Sequence, residues 1–443
     1  FIYTAGSYTP SKFRRRSYMT QEWADMERRD TNFGVLSTVV PTSGWRIRAG
    51  IFRSLASVPE NHVISYRNVL PDGTAQVDAL ADPPRYSGSS SGEVRVSRRF
   101  DEGPRAHTLH VSLRARDSRR TFGGGDTQDL GPGKLGVYTP RPEPTFVFGP
   151  QRKDIVKQGT LGLTYGINWL ETGEFSVGLQ KTRYRRSLMQ LGGAVLTKST
   201  SNPWLYNATG ALFAGESVVF YASYTRGLEA SGIAPDNATN RGEALPANIT
   251  RQFDAGVRYE LGPRLRAVAG VFDVSKPFLD RDAANLFRTV GRIRNRGIEA
   301  SISGEPMPGI RVVAGTVLIK SRVTGLTVTQ GTIAEVPSGL FPRTVNLSAE
   351  YGPASWSGFS VDGDLENRGD YFADRRNTYK IPSETTFNIG ARYRFKVAES
   401  PTTLRLRIEN ITDEYTWHVH AAQGGWIHPS ARRRYSARIS ADF

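Results

Sequence analysis

Three histidines crowd the C-terminal end of the chain: His418 and His420 in "WHVH", and His428 ten residues after the first. Two imidazoles at i and i+2 can share a metal ion, and a third would make a zinc-like set. No carboxylate pattern accompanies them, and three unrelated loop imidazoles describe the same residues. His107 and His110, in "AHTLH", fall on opposite faces of a strand and make poor joint ligands. The stretch "GPGKLG" (131–136) has neither the spacing of a phosphate-binding loop nor its strand–helix context. A hydrolase would need a nucleophile grouped with His and Asp at one mouth, and the 418–428 histidines have no convincing nucleophile near them. Cysteine is absent, which removes thiolate metal sites, disulfide frameworks and cysteine nucleophiles. No catalytic residue, no metal and no cofactor is expected, and the chain does not read as an enzyme.

Charge is the stronger signal. With 58 Lys and Arg against 42 Asp and Glu, the formal net charge is +16. A balance this basic points to an anionic partner. The arginines are scattered along the chain rather than clustered, which argues against nucleic acid.

The elements that carry these residues have period two. In "RRRYSARISADF" (432–443), Tyr435, Ala437, Ile439, Ala441 and Phe443 fall on one face, and Arg434, Ser436, Arg438, Ser440 and Asp442 on the other. "TTFNIGARYRFKV" sets Phe387, Ile389, Ala391, Tyr393, Phe395 and Val397 against Asn388, Gly390, Arg392, Arg394 and Lys396. "TLRLRIEN" alternates Leu404, Leu406 and Ile408 with Arg405, Arg407 and Glu409. Only 38% of the 443 residues are hydrophobic. No run is long and apolar enough for a membrane helix. A barrel that shows lipid only alternate residues would still have this composition.

Connections sort by length. Short ones at 41–44, 101–104, 171–173, 261–263, 305–309, 352–355 and 398–401 alternate with long ones at 55–91, 118–157, 187–202, 229–248, 277–290, 323–342, 371–384 and 414–430. Trp45, Trp169 and Trp356 stand beside short turns, and Trp204 opens a strand after a long loop, as an aromatic belt requires. The expectation is an all-β, transmembrane, antiparallel up-and-down β-barrel of about eighteen to twenty strands, the count depending on whether 62–81 is wall or a hairpin within a loop. The barrel occupies residues 1–443 as a single domain, in a bacterial outer membrane.

Ordered segments of the chain resemble the barrel of TonB-dependent receptors of the siderophore type. They are "VVFYASYTRGLEASG" (218–232), "ITRQFDAGVRYEL" (249–261), "NRGIEASISGEPMPGIRVVAG" (295–315), "TTFNIGARYRFK", "LRLRIENITDEYTW" with Asn410, Asp413 and Tyr415, and the closing strand. The resemblance implies a barrel of twenty-two strands around a plug, uptake of a ferric siderophore or another anionic chelate, contact with lipopolysaccharide, insertion by the barrel assembly machinery, and coupling to TonB-ExbB-ExbD. Neither a plug nor a TonB box is found, and the opening "FIYTAGSYTP" reads like a strand, so the N-terminal part of a longer protein is expected to be missing.

The resemblance also places ligands on outer loops. Arg119, Arg120, Arg185, Arg186, Arg226, Arg375 and Arg376, with Tyr371, Trp417 and Trp426, are then candidates for binding an anionic, aromatic complex at the mouth. Arg392, Arg394, Arg405, Arg407 and Glu409 project into the lumen, where partners are expected and a plug would offer them. Tyr435 and Phe443 resemble an assembly signal. The alternative function is a passive or substrate-selective porin.

Overall fold

The computed structural model describes residues 2–421 and 426–442. Sixteen successive antiparallel pairings run from strand Met26–Val39 through to strand Arg434–Ala441, joining seventeen strands into one up-and-down sheet. That is fewer than the eighteen to twenty counted in sequence. The segment around 62–81 leaves the wall, which sets the count at the lower end of that range, and one strand fewer is joined among the described residues. The upper part of strand Trp45–Val69 pairs with Thr74–Ala81, which pairs in turn with Asp126–Lys134, in a separate outer sheet.

The alternation behaves as the sequence requires. Ile389 pairs with Ile408, which pairs with Tyr435; Tyr393 pairs with Leu404, which pairs with Ile439. These rows form one continuous apolar face, and Ile389, Tyr393, Tyr435 and Ile439 are all exposed on it. Arg392, Arg405 and Arg438 form a row on the opposite face. Near the short turns the apolar face ends in aromatics: Arg98 lies over the Trp45 ring, Arg105 over Trp169, and Tyr351 meets Trp356 edge-on. Each indole stays apolar on one side and polar on the other, as a membrane boundary demands.

Where the lumen face needs room, glycine provides it. Gly256 and Gly270 are neighbours across two strands, and the Tyr221 ring lies over both. A Cβ on Gly256 would stand 2.5 Å from the Tyr221 hydroxyl and 2.4 Å from the Ala269 carbonyl oxygen.

Many strands outrun the bilayer. Trp45–Val69 has 25 residues and Phe287–Met307 has 21, against roughly ten for a tilted crossing. The excess builds an outer extension, and the buried apolar core lies there. Ile2, Val69, Val77, Leu135, Tyr371, Ile381, Trp417 and Ile427 pack into one cluster. It is assembled from Ile2–Thr4, the 62–81 hairpin, Tyr371–Phe372 with Lys380–Ile381, and Trp417–Ala421 with Trp426–Pro429.

The "ENITDEYTW" segment is the turn that carries the chain into this cap. Asn410 and Asp413 hold left-handed φ of 50° and 53°, a conformation that short polar side chains tolerate. The Asn410 amide donates to the Glu414 and Ala431 carbonyls, and its Oδ1 accepts from the Glu414 N–H. Asp413 accepts from Arg433 N–H at 2.9 Å and from Arg15 at 2.6 Å. The Arg15 side chain is 8% exposed. This fastens the segment before Met26 to the last turn of the barrel.

Candidate functional site

At the outer end of the lumen a polar pocket of about 820 Å³ opens beneath the cap. Alternation aims Glu366, Arg368, Glu384, Thr386, Asn388, Glu409 and Arg434 into it from the wall, while Arg15, Arg16, His418, Arg432 and Arg433 close its upper side. Glu384 is its buried centre. It accepts from Arg368 at 3.1 Å and lies 3.0 Å from His418 Nε2. Arg434 meets Glu409 at 2.5 Å. Arginines outnumber carboxylates along the lining, so the pocket suits an anion able to pair with Arg16, Arg432 or Arg433. The carboxylate beside His418 comes from a different strand, Glu384, which a search for local metal-ligand spacing could not supply. The His418 and His428 rings meet edge-on at 5.5 Å, and the His420 side chain lies outside the described residues.

The mouth candidates divide by parity. Strands Arg105–Phe122 and Gly173–Gln190 continue past the membrane, so neighbouring arginines point to opposite faces. Arg120 and Arg186 face inward and share Asp154 at 3.0 and 2.7 Å. Arg119 and Arg185 face outward, in the rows of Ile155 and Lys157. Arg226 also faces outward, over the Tyr206 ring. The sequence reading placed 118–157 wholly in a loop, where parity has no meaning; the ladder extends through both arginines at 119 and 120.

Arg186 and Asp154 are each 4% exposed. They are covered by the outer segment around 231–245, which folds inward: Arg186 Nη1 donates to the Ser231 carbonyl, and Arg152 holds Asp236 at 2.6 Å. Tyr371 and Trp417 belong to the cap core, 5% and 4% exposed, and so are not available at the mouth surface. The Tyr371 hydroxyl donates to the Trp417 carbonyl and accepts from Val419 N–H. Burial raises the pKa of the Tyr371 phenol and that of Tyr379 beside it. Arg375 pairs with Asp280, Arg376 is exposed, and Trp426 packs edge-on against Tyr3.

The lumen arginines find partners within the wall. Arg392 pairs with Glu350, Arg405 with Asp362 at 3.1 Å, and Arg407 with Asp362 at 3.0 Å and with Asp364. Arg394 is exposed and makes no ion pair among the described residues. The carboxylates come from strands Arg343–Tyr351 and Phe359–Arg368. Arg392, Arg405 and Arg407 thus find their partners within the wall, and Arg394 does not. Tyr435 stands on the apolar face, 66% exposed, and Phe443 lies outside the described residues.

Comparison with known proteins agrees with this architecture. The ferrichrome receptor FcuA of Yersinia enterocolitica is 23% identical over 96% of this chain; the chain spans 57% of that receptor's length. Two solved structures share the fold. BauA, the ferric preacinetobactin receptor of Acinetobacter baumannii, has a TM-score of 0.83 at 20% identity, covering all of this chain and 67% of its own. The pyoverdine outer membrane receptor FpvA of Pseudomonas aeruginosa has a TM-score of 0.77 at 15% identity, covering all of this chain and 65% of its own. A family model described as TonB dependent receptor-like, beta-barrel matches residues 2–411. An alternating seventeen-strand wall, aromatics at its short-turn end and a match across nearly the whole chain make this an outer-membrane β-barrel, and the chain belongs to the TonB-dependent receptor-like β-barrel family.

Proposed function

We propose that the protein works in TonB-dependent uptake of a ferric siderophore or a similar anionic metal chelate. The observation that carries this reading is the family match over residues 2–411, and the ferrichrome receptor relative supports it. Binding and passage require no bond breaking by this chain, and none of its residues is given a catalytic role.

The pocket under the cap receives the chelate. Arg16, Arg432 and Arg433 offer guanidinium groups to its carboxylate or catecholate oxygens, while Arg15 stays tied to Asp413. Arg186, with Asp154 and Arg120 beside it, acts through the inward segment it holds rather than by touching ligand. A plug, where the full-length protein has one, docks against the lumen face at Arg394 and Arg438 more than at Arg405 and Arg407, whose charges the wall already balances. Energy from TonB-ExbB-ExbD arrives through that plug.

The test is growth of the host on single ferric chelates under iron restriction, with the full-length gene deleted and then restored. Loss of growth on one chelate class, recovered on complementation, is the expected result. Unchanged growth on every chelate, together with an unregulated conductance of the purified protein in bilayers, favours the porin instead.

A further inference from the structure

Arginine is spread unevenly around the lumen. On the arc that includes strands Phe359–Arg368 and Ser400–Glu409, Asp362 and Asp364 sit among Arg405 and Arg407 and balance them. The arc built from Trp45–Val69, Arg85–Glu102 and Arg105–Phe122 is different. Its inward positions carry arginine in four successive rows. Arg116 stands in the outermost, in register with Ser91 and Phe52. Arg114 stands in the next, opposite Glu93. Arg48 and Arg95 share the third, and Arg46 stands in the fourth with Ser97 and His110. Rows two residues apart put the first and the last about 20 Å from each other along the strands.

One carboxylate serves these five guanidinium groups. Glu93 meets Arg95 at 2.7 Å and Arg114 at 3.1 Å. Arg116 reaches only the Ser89 hydroxyl, at 3.4 Å. Arg46, Arg48 and Arg116 pair with no carboxylate among the described residues. Arg48 and Arg95 are direct cross-strand partners. Like charges set opposite each other in a ladder are destabilising, so the wall alone gives no reason for this pair.

The rows meet at a hollow. A cavity of about 660 Å³ is cut into the lumen face, with Arg48, Arg95, Arg114 and Arg116 on one side and Gln158 and Gln180 on the other. Gly50 keeps its floor open, since a Cβ there would stand 2.7 Å from the Leu36 side chain. Phe52 and Leu36 are both exposed and give the hollow an apolar margin. It shares no residue with the pocket around Glu384.

From this we propose that the hollow is a second anion site, inside the barrel and below the mouth, which receives the anionic chelate during passage. The proposal deepens the uptake reading and rests on it for the identity of the anion. Size selects a small molecule over a protein surface, because ligand clefts run to roughly 300–1,000 Å³. Charge selects an anion. Carboxylate or catecholate oxygens laid between Arg48 and Arg95 turn a repulsive pair into two donors of charge-assisted hydrogen bonds. Gln158 and Gln180 offer amide N–H groups to carbonyl oxygens, and Phe52 covers an apolar edge. A chelate released from Arg432 and Arg433 then meets free guanidinium groups rather than a neutral wall.

The experiment titrates full-length protein in detergent with ferric citrate, a polyanionic carboxylate chelate, and repeats the titration in the presence of ferrichrome, which carries no net charge. Wild type is expected to show two classes of site for ferric citrate, and ferrichrome is expected not to displace the class in the lumen. R48Q/R116Q should lose that class and keep the other, and R432Q/R433Q should do the reverse. If R48Q/R116Q does not fold, R48Q alone is read the same way, with affinity at the lumen class lowered about threefold. In cells, R48Q/R116Q should lower the maximal rate of radiolabelled ferric citrate uptake by about fivefold or more at an unchanged half-saturating concentration. A single class of site in wild type, equal binding by R48Q/R116Q, or displacement of the lumen class by ferrichrome overturns the proposal; undiminished uptake in R48Q/R116Q then leaves the uptake reading standing. Two classes of site in a wild type that imports no chelate support the anion site and overturn the uptake reading instead.

Discussion

The residue that decides most at the mouth is Arg186. It is a charge buried with its partner, Asp154, and it also holds the Ser231 carbonyl. Removing one member of such a pair leaves the other uncompensated, a cost of roughly 3–5 kcal/mol. Arg186→Leu is expected to release the inward segment near 231–245. Limited proteolysis should then cut that segment at least tenfold faster than in wild type. Arg185→Leu, one residue away and facing outward, should leave the rate unchanged. The contrast between these neighbours shows what the sequence made legible and what it hid. The family pattern and the alternation of 387–397 and 404–409 could be read directly. The facing of the arginine pairs at 119–120 and 185–186 could not, because hydropathy stops alternating where the strand leaves the membrane. Backbone pairing continues there without an apolar face to advertise it.

At the scale of elements, the wall predicts opposite fates for neighbouring positions of strand Arg152–Trp169. Leu163 is on the apolar face, 49% exposed, and pairs with Val111 and Leu179; Thr164 is on the other face. Leu163→Arg is expected to destabilise the folded barrel by about 2–4 kcal/mol in lipid vesicles, and Thr164→Arg by about 1 kcal/mol or less. Urea titration of vesicle-folded protein measures both. The cap makes a separate prediction about pH. The backbone N–H of Arg433, and then the Arg15 charge, hold the Asp413 carboxyl below the usual carboxylate range. A depressed folded value contributes stability above the unfolded pKa of about 3.9 and loses it as pH falls through the folded value. The tether from Arg15 to the last turn should therefore hold at neutral pH and open only below about pH 4. Proteolysis of residues 5–25 across that range tests it, and Asp413→Ala should expose the same sites at pH 7. The turn motif at 410–415 was visible in sequence as a family feature. Its reason was not, since Arg15 lies some four hundred residues earlier and no local pattern ties the two together.

At the scale of the whole molecule, seventeen strands make an odd number. Strands Met26–Val39 and Arg434–Ala441 each pair on one side only among the described residues, and both are exposed along their length. Both run from the outer end toward the short-turn end, so antiparallel closure requires an odd number of strands between them. Rows of unpaired backbone groups cannot face hydrocarbon. Twenty-two strands, the number implied by the family, satisfy that parity. The central claim is that hydrocarbon bathes the Ile389 face and water the Arg392 face of every wall strand. These 443 residues hold no cysteine, so a cysteine introduced at one position is the single thiol of the segment, and the parent protein without it gives the background. The most direct measurement is a cysteine scan of positions 387–396 in full-length protein in outer-membrane vesicles, read with a water-soluble maleimide after the vesicles are made permeable to it. Positions 388, 390, 392, 394 and 396 should label readily, and 387, 389, 391, 393 and 395 should resist. Uniform labelling, or labelling with a period near 3.6, would contradict the account.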